Sequence, residues 1–266
     1  MNVGLPDIQD ETDSRGIELD EVGIAGLRYP IVFSDGDLLV QAVAEVEVTV
    51  TLPHDRRGTH MSRMVQFVDQ NFGDFDPRKA NEIVQSMLSL LNVEGAGFTF
   101  SFPFGTPVVA PESQLTSLQT HDLKFQASVS AGVVTTATSV TSDVTSVCPC
   151  SKAISDYGAH NQRSRVTLTV VGSGKNPYPV DAARMVALVR TVGSAPVYPL
   201  VKRVDERSLT MTAHDNALFV EDMARKLAIC EDLSGLEVFV EVRNLESIHS
   251  HDAIARLRSP GTPENA

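Results

Sequence analysis

Cysteine is scarce in this sequence, which contains only Cys148, Cys150 and Cys230 among 266 residues. So few thiols exclude a disulfide-stabilised scaffold, and in a reducing compartment a Cys-x-Cys spacing is more often catalytic or metal-binding. Basic residues are also in deficit, since 22 Lys and Arg against 34 Asp and Glu give a formal net charge of -12. Because neutralising phosphates requires an excess of cations, we expect no nucleic-acid partner.

Long apolar runs are absent as well. No run approaches the roughly 18 residues of a membrane span, and the amino terminus lacks the basic-then-apolar order of a secretion signal. We therefore expect a cytoplasmic protein with no membrane partner. The chain does have an ordinary globular composition, with 42% apolar residues, which is enough for one large core or two small ones.

Hydrophobic periodicity predicts strands and paired helices in the same order twice. In the first half, strands are expected at residues 40–52, 95–104 and 123–140, with one helix over 61–68 and a second capped by Asp76. In the second half, strands are expected at 165–171 and 236–242, and helices at 180–192 and 218–230. We predict an α+β fold with two similar modules, 27–140 and 141–258, between an amino-terminal arm (1–26) and a disordered tail (259–266).

A thiol and an imidazole with nearby cations form the most informative part of the chain. The run Val-Cys-Pro-Cys-Ser-Lys ends at Lys152, and Gly-Ala-His-Asn-Gln-Arg-Ser ends at Ser164. Cys148 is a candidate thiolate ligand or nucleophile, and His160 is its candidate imidazole partner. The alternative, a buried inert thiol and a surface imidazole, stays open on these residues alone.

Each of three carboxylates can be interpreted either as a functional group or as an ordinary surface or helix-terminus charge. Glu206 is expected in a polar loop, where it completes a divalent-metal site or remains solvated. Glu221 is expected in an early helix turn, where its oxygens suit a donor pair such as the amide and amine of guanine, or simply favour the helix dipole. Glu246 precedes His249 and His251 in a loop that could transfer protons, bind a metal or be ordinary polar surface.

Cations are clustered at a few positions that could bind a small polyanion. His60 and Arg63 stand at the start of a predicted helix, where amide dipoles favour phosphate, although the sequence alone favours an ordinary helix start capped by Thr59. Further basic clusters pair Lys152 with Arg163, and Lys202 with Arg203. Each of these clusters is also compatible with solvated surface charge.

Seven motifs, in this order, resemble the prokaryotic type IB GTP cyclohydrolases over nearly the whole chain. They are Leu5-Pro-Asp-Ile-Gln, Gly58-Thr-His-Met-Ser-Arg, Cys148-Pro-Cys-Ser-Lys, Gly158-Ala-His-Asn-Gln-Arg-Ser, Tyr198-Pro-Leu-Val-Lys-Arg, Phe219-Val-Glu-Asp and Glu246-Ser-Ile-His. The resemblance implies the tunnelling fold, in which each subunit has two antiparallel-sheet modules with a helix pair and four subunits form a homotetramer. It also implies conversion of GTP and water to 7,8-dihydroneopterin triphosphate and formate, the first step of tetrahydrofolate and pterin synthesis.

The resemblance further implies roles for individual residues. Cys148, His160 and Glu206 are expected to hold a divalent metal ion that activates water for attack at C8. The ion is expected to be Zn²⁺ or Mn²⁺, and Fe²⁺ is also possible because it takes similar ligands. Glu221 is expected to bind guanine, and Cys148, Glu246 and His249 to line the reaction centre. By charge, the expected contacts of the triphosphate are Lys152, Arg163, Lys202 and Arg203, with His60 and Arg63 as further substrate-binding residues.

Two other functions are compatible with the same scaffold. An NADPH-dependent deazapurine nitrile reductase also uses Cys and Glu, although no Gly-rich dinucleotide motif is visible in this sequence. A non-catalytic purine-binding protein is the second alternative. The joint presence of Cys148, His160, Glu206 and Glu221 argues against the non-catalytic protein.

Overall fold

The structure is a computed structural model that describes residues 7–9 and 11–261. The first two residues of the Leu5-Pro-Asp-Ile-Gln motif and residues 262–266 of the predicted tail lie outside the described residues. Over the described part, the chain is an α+β protein with a large antiparallel sheet and helices, as predicted. No helix in this part is both long and apolar enough to cross a membrane.

The described residues form nine strands. They are β1 (Leu19–Asp35), β2 (Leu38–Leu52), β3 (Ala96–Val109), β4 (Thr116–Ser130), β5 (Val133–Val147), β6 (Asn161–Ser173), β7 (Ala195–Pro196), β8 (Val238–Leu245) and β9 (Ala253–Ser259). Neighbouring strands follow the order β1-β2-β3-β4-β5-β6-β8-β9, and β7 pairs with β5.

Six α-helices and three short 3₁₀ helices lie between these strands in the described ranges. The α-helices are α1 (Met61–Asn71), α2 (Ala80–Leu91), α3 (Pro149–Ile154), α4 (Ala182–Val192), α5 (Arg203–Asp215) and α6 (Val220–Ala228). The 3₁₀ helices are Phe72–Asp74, Pro77–Lys79 and Glu231–Leu233.

The described residues divide into two compact units. The first contains residues up to Phe102, together with Phe125–Thr136 and Ser173–Tyr178. The second contains Pro103–Lys124, Ala137–Gly172 and the residues from Pro179 onward. The predicted module boundary near residue 140 rests on the repeated order of elements rather than on compactness, and it stays a prediction.

Phenylalanine fills the core of the first unit. The rings of Phe75 and Phe100 meet edge to face with centroids 4.9 Å apart, and Phe67 of α1 meets Phe98 of β3 at 5.5 Å. Such aromatic pairs add to the stabilisation that burial of their large apolar surface already gives. The alternation of β2 directs its even-numbered side chains into this core, as the periodicity predicted.

The core of the second unit lies between sheet and helices. Helix α6 packs on β8, β9 and α4. Its buried residues Met223 and Leu227 lie one turn apart, as expected for the apolar face of an amphipathic helix. The alternating buried residues of β6 and β8, among them Leu168 and Val240, contribute the sheet face.

Most of the predicted elements are confirmed, including the helices α1, α2, α4 and α6 and the strands β2, β3, β6 and β8. Asp76 caps the segment before α2 as expected, because its carboxylate accepts the backbone N–H of Arg78 at 3.0 Å. Thr59 is not the cap of α1. The residue in that position is His60, which makes no side-chain cap hydrogen bond.

Three expectations about strands were wrong. The single strand expected at 123–140 is a hairpin of β4 and β5, which turns at Ala131 and Gly132, both with positive φ. The turn at these two residues lacks the Asn-Gly or Asp-Gly pair that usually marks a two-residue hairpin in a sequence. Strand β1 begins at Leu19, inside the predicted arm, and β9 follows the strand that was expected to be the last.

Candidate active site

Cys148 lies where four segments of the second unit meet. The backbone N–H of Val147 donates to Ser194 Oγ at 3.0 Å, and the carbonyl of Val147 accepts the N–H of Leu218 at 3.0 Å. The N–H of Cys148 donates to the carbonyl of His160 at 3.1 Å. These three bonds fix the end of β5 against the loop after α4, the start of α6 and the start of β6.

The thiol of Cys148 is itself the N-cap of α3. Its Sγ accepts the N–H of Ser151 at 3.4 Å, and Pro149 occupies the first helical position, where a missing N–H costs no hydrogen bond. The side chain is half-buried. Cys150, two residues further along the same short helix, is exposed.

His160 and Glu246 face one another. The side chains are 13% and 8% exposed, and His160 Nδ1 lies 3.9 Å from Glu246 Oε2. Glu246 Oε2 is buried and has no hydrogen-bond partner among the described residues. A buried carboxylate oxygen without a donor is costly to a folded protein, and this position therefore suits a proton donor or a cation.

A pocket of about 360 Å³ brings Cys148, Glu221 and Glu246 together. Glu221 enters it from the first turn of α6. The start of this helix is held by two bonds of Leu218: its N–H donates to Val147, and its carbonyl accepts the hydroxyl of Ser146 at 2.9 Å. The volume is within the range of small-ligand sites.

Three polar residues that the sequence analysis did not single out also line this pocket. They are Ser146, Gln162 and Asn244, which come from β5, β6 and β8. All three are less than 9% exposed. Alternation along β6 places Gln162 on the same buried face as Ser164 and Val166. A polar residue at an inward position of a strand is the signal that could have identified it.

Glu206 was predicted in a loop, and that prediction was wrong. It lies exposed in the first turn of α5. The helix starts here because the carboxylate of the preceding residue, Asp205, accepts the N–H of Lys202 at 2.8 Å. The apolar spacing of α5 is too weak to predict a helix, which is why the segment resembles a loop. Glu206 is not among the residues that line the pocket of Cys148.

The predicted triphosphate-binding cations of the second unit are not gathered at the pocket. The ammonium of Lys152 donates to the carbonyl of His214 at the end of α5. Arg163 projects from the face of β6 opposite to Gln162, and its Nε lies 3.9 Å from Asp143 Oδ2. Lys202 and Arg203 are exposed at the start of α5.

The other predicted substrate-binding cations belong to the first unit. His60 is the N-cap of α1, and its Nε2 lies 3.6 Å from Asp7 Oδ2. Arg63 is exposed in the first turn of α1. Their location at a helix start agrees with the sequence analysis, and their role in binding stays a prediction.

His249 and His251 lie in the exposed loop between β8 and β9. Their rings are stacked, with centroids 5.2 Å apart and planes inclined by 17°. The loop begins at Glu246, directly after the end of β8. The sequence therefore placed this group correctly after a strand, and the structure connects it to the pocket through Glu246.

The donor set around Cys148 fits a divalent metal ion in its chemistry. A thiolate, an imidazole and a carboxylate are the ligands that zinc takes in proteins, and the unpartnered Glu246 Oε2 marks a buried position that favours positive charge. In the described ranges, 7–9 and 11–261, no group of three or more His, Cys, Asp and Glu is already arranged to hold a metal.

Similarity to a solved structure supports the fold. An engineered hyper-thermostable uricase, AgUricase, is 10% identical with a TM-score of 0.50, covering 92% of this chain and 93% of the other. At this level of identity, the likeness concerns the fold alone.

Sequence comparison is more specific. The model of the family described as type I GTP cyclohydrolase FolE2 matches residues 5–255. A GTP cyclohydrolase FolE2 of Fervidobacterium nodosum is 37% identical over 258 residues, covering 96% of this chain and 97% of the relative. Its counterpart in Bordetella avium is 40% identical over 255 residues, covering 94% and 95%. The chain therefore belongs to the type I GTP cyclohydrolase FolE2 family.

Proposed function

We propose that this chain converts GTP and water to 7,8-dihydroneopterin triphosphate and formate, the first step of tetrahydrofolate and pterin synthesis, in the pocket of Cys148. The observation on which the proposal rests is the convergence of Cys148, Glu221 and Glu246 in one pocket, with His160 beside Glu246. Membership of the FolE2 family supports the same reaction. The cytoplasm, which keeps thiols such as these reduced, is the compartment we propose.

Glu221 is the proposed guanine-binding residue. An ionised carboxylate only accepts hydrogen bonds, and its two oxygens match the paired N1–H and 2-amino donors of guanine. The bonds that tie Leu218 to β5 fix the first turn of α6, from which Glu221 enters the pocket. Binding the pyrimidine edge here orients the imidazole ring of the substrate, in which the reaction takes place.

Glu246 and His249 are the proposed proton-transfer groups. Water adds to C8, the C8–N9 bond breaks, and a second water releases formate; the ribose then rearranges and closes the new ring with loss of one water. Protons must therefore be taken from water and given to the ring nitrogens. Glu246 Oε2 has no protein donor among the described residues and is free to take a proton. His249, three residues further along the loop, has an imidazole ring that can both accept and donate a proton and suits the return step.

A divalent ion, Zn²⁺ or Mn²⁺ with Fe²⁺ as a further choice, is proposed at Cys148, His160 and Glu206. When bound, such an ion lowers the pKa of its water toward neutrality. The backbone bond between Cys148 and His160 supports the first two ligands because it keeps the two residues adjacent. Glu206 is the ligand that the family resemblance implies, from an exposed position on α5.

The triphosphate is proposed to contact Lys202 and Arg203, with Arg163, Lys152, His60 and Arg63 as further cations. The exposure of Lys202 and Arg203 at the start of α5 supports them, since both are accessible to a ligand. Lys152 would have to exchange the carbonyl of His214 for phosphate. The assembly we propose is the homotetramer that the family resemblance implies, and the likeness to uricase supports the fold of the subunit alone.

The test is the loss of formate release in Cys148→Ala, with Cys150→Ala as the matched control on the same short helix. Replacing even the residues behind metal ligands costs about ten- to a hundredfold in activity, and we therefore expect Cys148→Ala to lose more than about a hundredfold. Cys150→Ala should retain the rate of the unaltered protein. Formate and the fluorescence of the oxidised pterin are the two readouts.

Turnover of Cys148→Ala at the rate of its control would contradict the role of Cys148. GTP binding without formate release in the unaltered, metal-supplied protein would favour the non-catalytic purine-binding alternative. Oxidation of NADPH in the presence of a deazapurine nitrile would favour the reductase.

A further inference from the structure

A chain of buried hydrogen bonds lies behind His160 in the second unit. It links Leu218, Ser146, Gln162 and His160. Ser146 is fully buried and Gln162 is 7% exposed. Because few of these atoms can exchange partners with water, the direction of each bond is determined by its neighbours.

The donor and the acceptor of each hydrogen bond can be assigned by starting from the backbone carbonyl of Leu218. The oxygen of Leu218 can only accept, and the hydroxyl of Ser146 has one hydrogen, which it donates to Leu218 at 2.9 Å. Ser146 Oγ must therefore act as an acceptor toward its other neighbours. It follows that the atom of Gln162 that lies 3.4 Å from Ser146 Oγ is the amide nitrogen, Nε2, and not the oxygen.

The hydrogen bonds of Asn244 lead independently to the same conclusion, that Ser146 Oγ acts as an acceptor toward its amide neighbours. Asn244 Nδ2 donates to Ser146 Oγ at 3.0 Å, and Asn244 Oδ1 accepts the hydroxyl of Ser164 at 2.5 Å. Ser164 is fully buried. Ser146 thus receives two amide donors and gives one proton, which leaves no hydrogen with which it could bind an amide oxygen of Gln162.

The series of hydrogen bonds ends at His160 and determines which of its two ring nitrogens carries hydrogen. With Nε2 of Gln162 directed at Ser146, its Oε1 faces His160 Nδ1 at 2.7 Å. An amide oxygen only accepts, so Nδ1 must carry hydrogen. Of the other polar atoms near Nδ1, Glu246 Oε2 at 3.9 Å is beyond hydrogen-bond distance, and Ser247 Oγ at 3.4 Å is exposed and forms the longer contact.

We propose that Gln162 is a positioning residue that holds His160 in the Nδ1–H tautomer, with the lone pair on Nε2. A neutral imidazole binds a metal or accepts a proton only through its unprotonated nitrogen. The fixed tautomer therefore prepares Nε2 for the role that His160 has in the proposed function, on which the catalytic meaning of this inference rests. The tautomer itself depends only on the hydrogen bonds of this chain.

A purely structural role for Gln162 makes a different prediction. If the only role of the Gln162 amide were to donate a hydrogen bond to Ser146, its removal would lower the free energy of unfolding and leave the tautomer of His160 unchanged. Gln119 provides a matched control, because it is 4% exposed in the same unit and its Nε2 donates to Asp143 O at 3.2 Å. Gln119→Leu and Gln162→Leu each remove one buried amide from a strand.

The experiment is magic-angle-spinning ¹⁵N NMR of the metal-free, histidine-labelled full chain. The protein has seven histidines, and the signals of His160 are identified by their loss in His160→Asn. In alkaline buffer, the unaltered protein is expected to show a protonated Nδ1 and an unprotonated Nε2. Gln162→Leu should show both tautomers, Gln162→Glu should keep Nδ1–H because it keeps the acceptor, and Gln119→Leu should match the unaltered protein.

Zinc binding provides a second readout. Gln162→Leu is expected to bind Zn²⁺ about ten- to a hundredfold more weakly than the unaltered chain, and Gln119→Leu equally well. An Nε2–H tautomer in the unaltered protein would overturn the proposal without any variant. An exclusive Nδ1–H tautomer in Gln162→Leu, or unchanged zinc affinity, would also overturn it. Failure of the proposed function would appear instead as formate release by Cys148→Ala.

Discussion

At the scale of single residues, His121 shows how burial determines charge. It is 2% exposed, and its Nε2 and Nδ1 lie 2.8 and 2.9 Å from the hydroxyls of Thr106 and Ser142. Burial, and then the positive charge of Arg190, lowers the pKa of His121 to about 4, and Asp143 opposes the shift weakly. The ring is neutral in the folded protein at neutral pH.

Stability should fall as the pH is lowered through the region in which His121 would normally titrate. Between about pH 6.5 and 4 the unfolded chain binds a proton at His121 that the folded chain does not. The free energy of unfolding therefore rises with pH in this window, and the contribution of His121 is complete above pH 6.5. We expect His121→Gln, which keeps polar atoms for both hydroxyls, to reduce the fall in Tm between pH 6.5 and 4.5 by on the order of 5 °C.

The exposed His54 is the matched control for this measurement. Thermal unfolding followed by circular dichroism at several pH values should give the same slope for His54→Gln and the unaltered protein. An unchanged slope in His121→Gln would show that this ring is not the source of the acid sensitivity.

The sequence predicted some site residues and not others for physical reasons. Cys148 and His160 attract attention because thiols are rare in the chain and an imidazole follows shortly after. Gln162 is marked only by its inward position on β6, and its role is recognisable only when its partners Ser146 and His160 are known. Charge alone also misleads, since alternation along β6 directs Arg163 away from the face of Gln162.

At the scale of elements, one carboxylate joins the β3–β4 loop to α5. Asp205 is fully buried and accepts the N–H groups of Glu112 and Ser113, both at 2.9 Å, and the hydroxyl of Ser113 at 2.6 Å, in addition to Lys202 N–H. Burial alone would raise the pKa of this carboxyl, but the hydrogen bonds from Ser113, Lys202 and Glu112 outweigh it and hold the pKa well below its usual value.

Asp205→Asn should loosen α5 and the loop together. The amide keeps one acceptor and turns an NH₂ donor toward N–H donors, so at least one buried hydrogen bond is lost. We expect Tm to fall by on the order of 5 °C and amide hydrogen exchange to increase in both the 111–114 loop and the first turn of α5.

Asp215→Asn is the control, at the opposite end of the same helix, where the side chain is 79% exposed. It should change neither quantity. Faster exchange in α5 alone, with an unchanged loop, would contradict a joint role for Asp205.

Elements with strong periodicity were predictable, and those fixed by distant bonds were not. Strand β2 alternates regularly, and the 3₁₀ helix that leads into α2 has a capping Asp76 followed by Pro77, so both could be predicted locally. Helix α5 begins at Arg203 because Asp205 meets a loop some 90 residues earlier in the chain. Strand β1 has irregular register near Gly23, whose backbone approaches Val48 so closely that a Cβ would overlap its oxygen.

At the scale of the whole molecule, we expect a homotetramer. Strands β1 and β9 end the strand order of the described residues, and each has only one neighbouring strand. Unpaired strand edges are usually covered in native proteins. Light scattering coupled to size-exclusion chromatography should give four times the 28.7 kDa of one chain.

The same mass should persist on dilution to micromolar concentration. A mass of one or two chains at every concentration would contradict the tetramer. Hydrogen exchange offers an independent check, since the outer amides of β1 or β9 should be protected in the tetramer if these edges are covered.

The first unit is built from segments that lie far apart in the sequence, and this limits the order in which the chain can fold during synthesis. This unit includes Ser173–Tyr178, where Tyr178 donates its hydroxyl to Asp35 at 3.0 Å and Gly174 accepts the amide of Asn81 at 2.8 Å. Domains commonly complete their folding in the order in which they leave the ribosome. Here the earlier unit cannot close until much of the later one has been translated, so the nascent chain must hold an unfinished phenylalanine core while the second unit emerges.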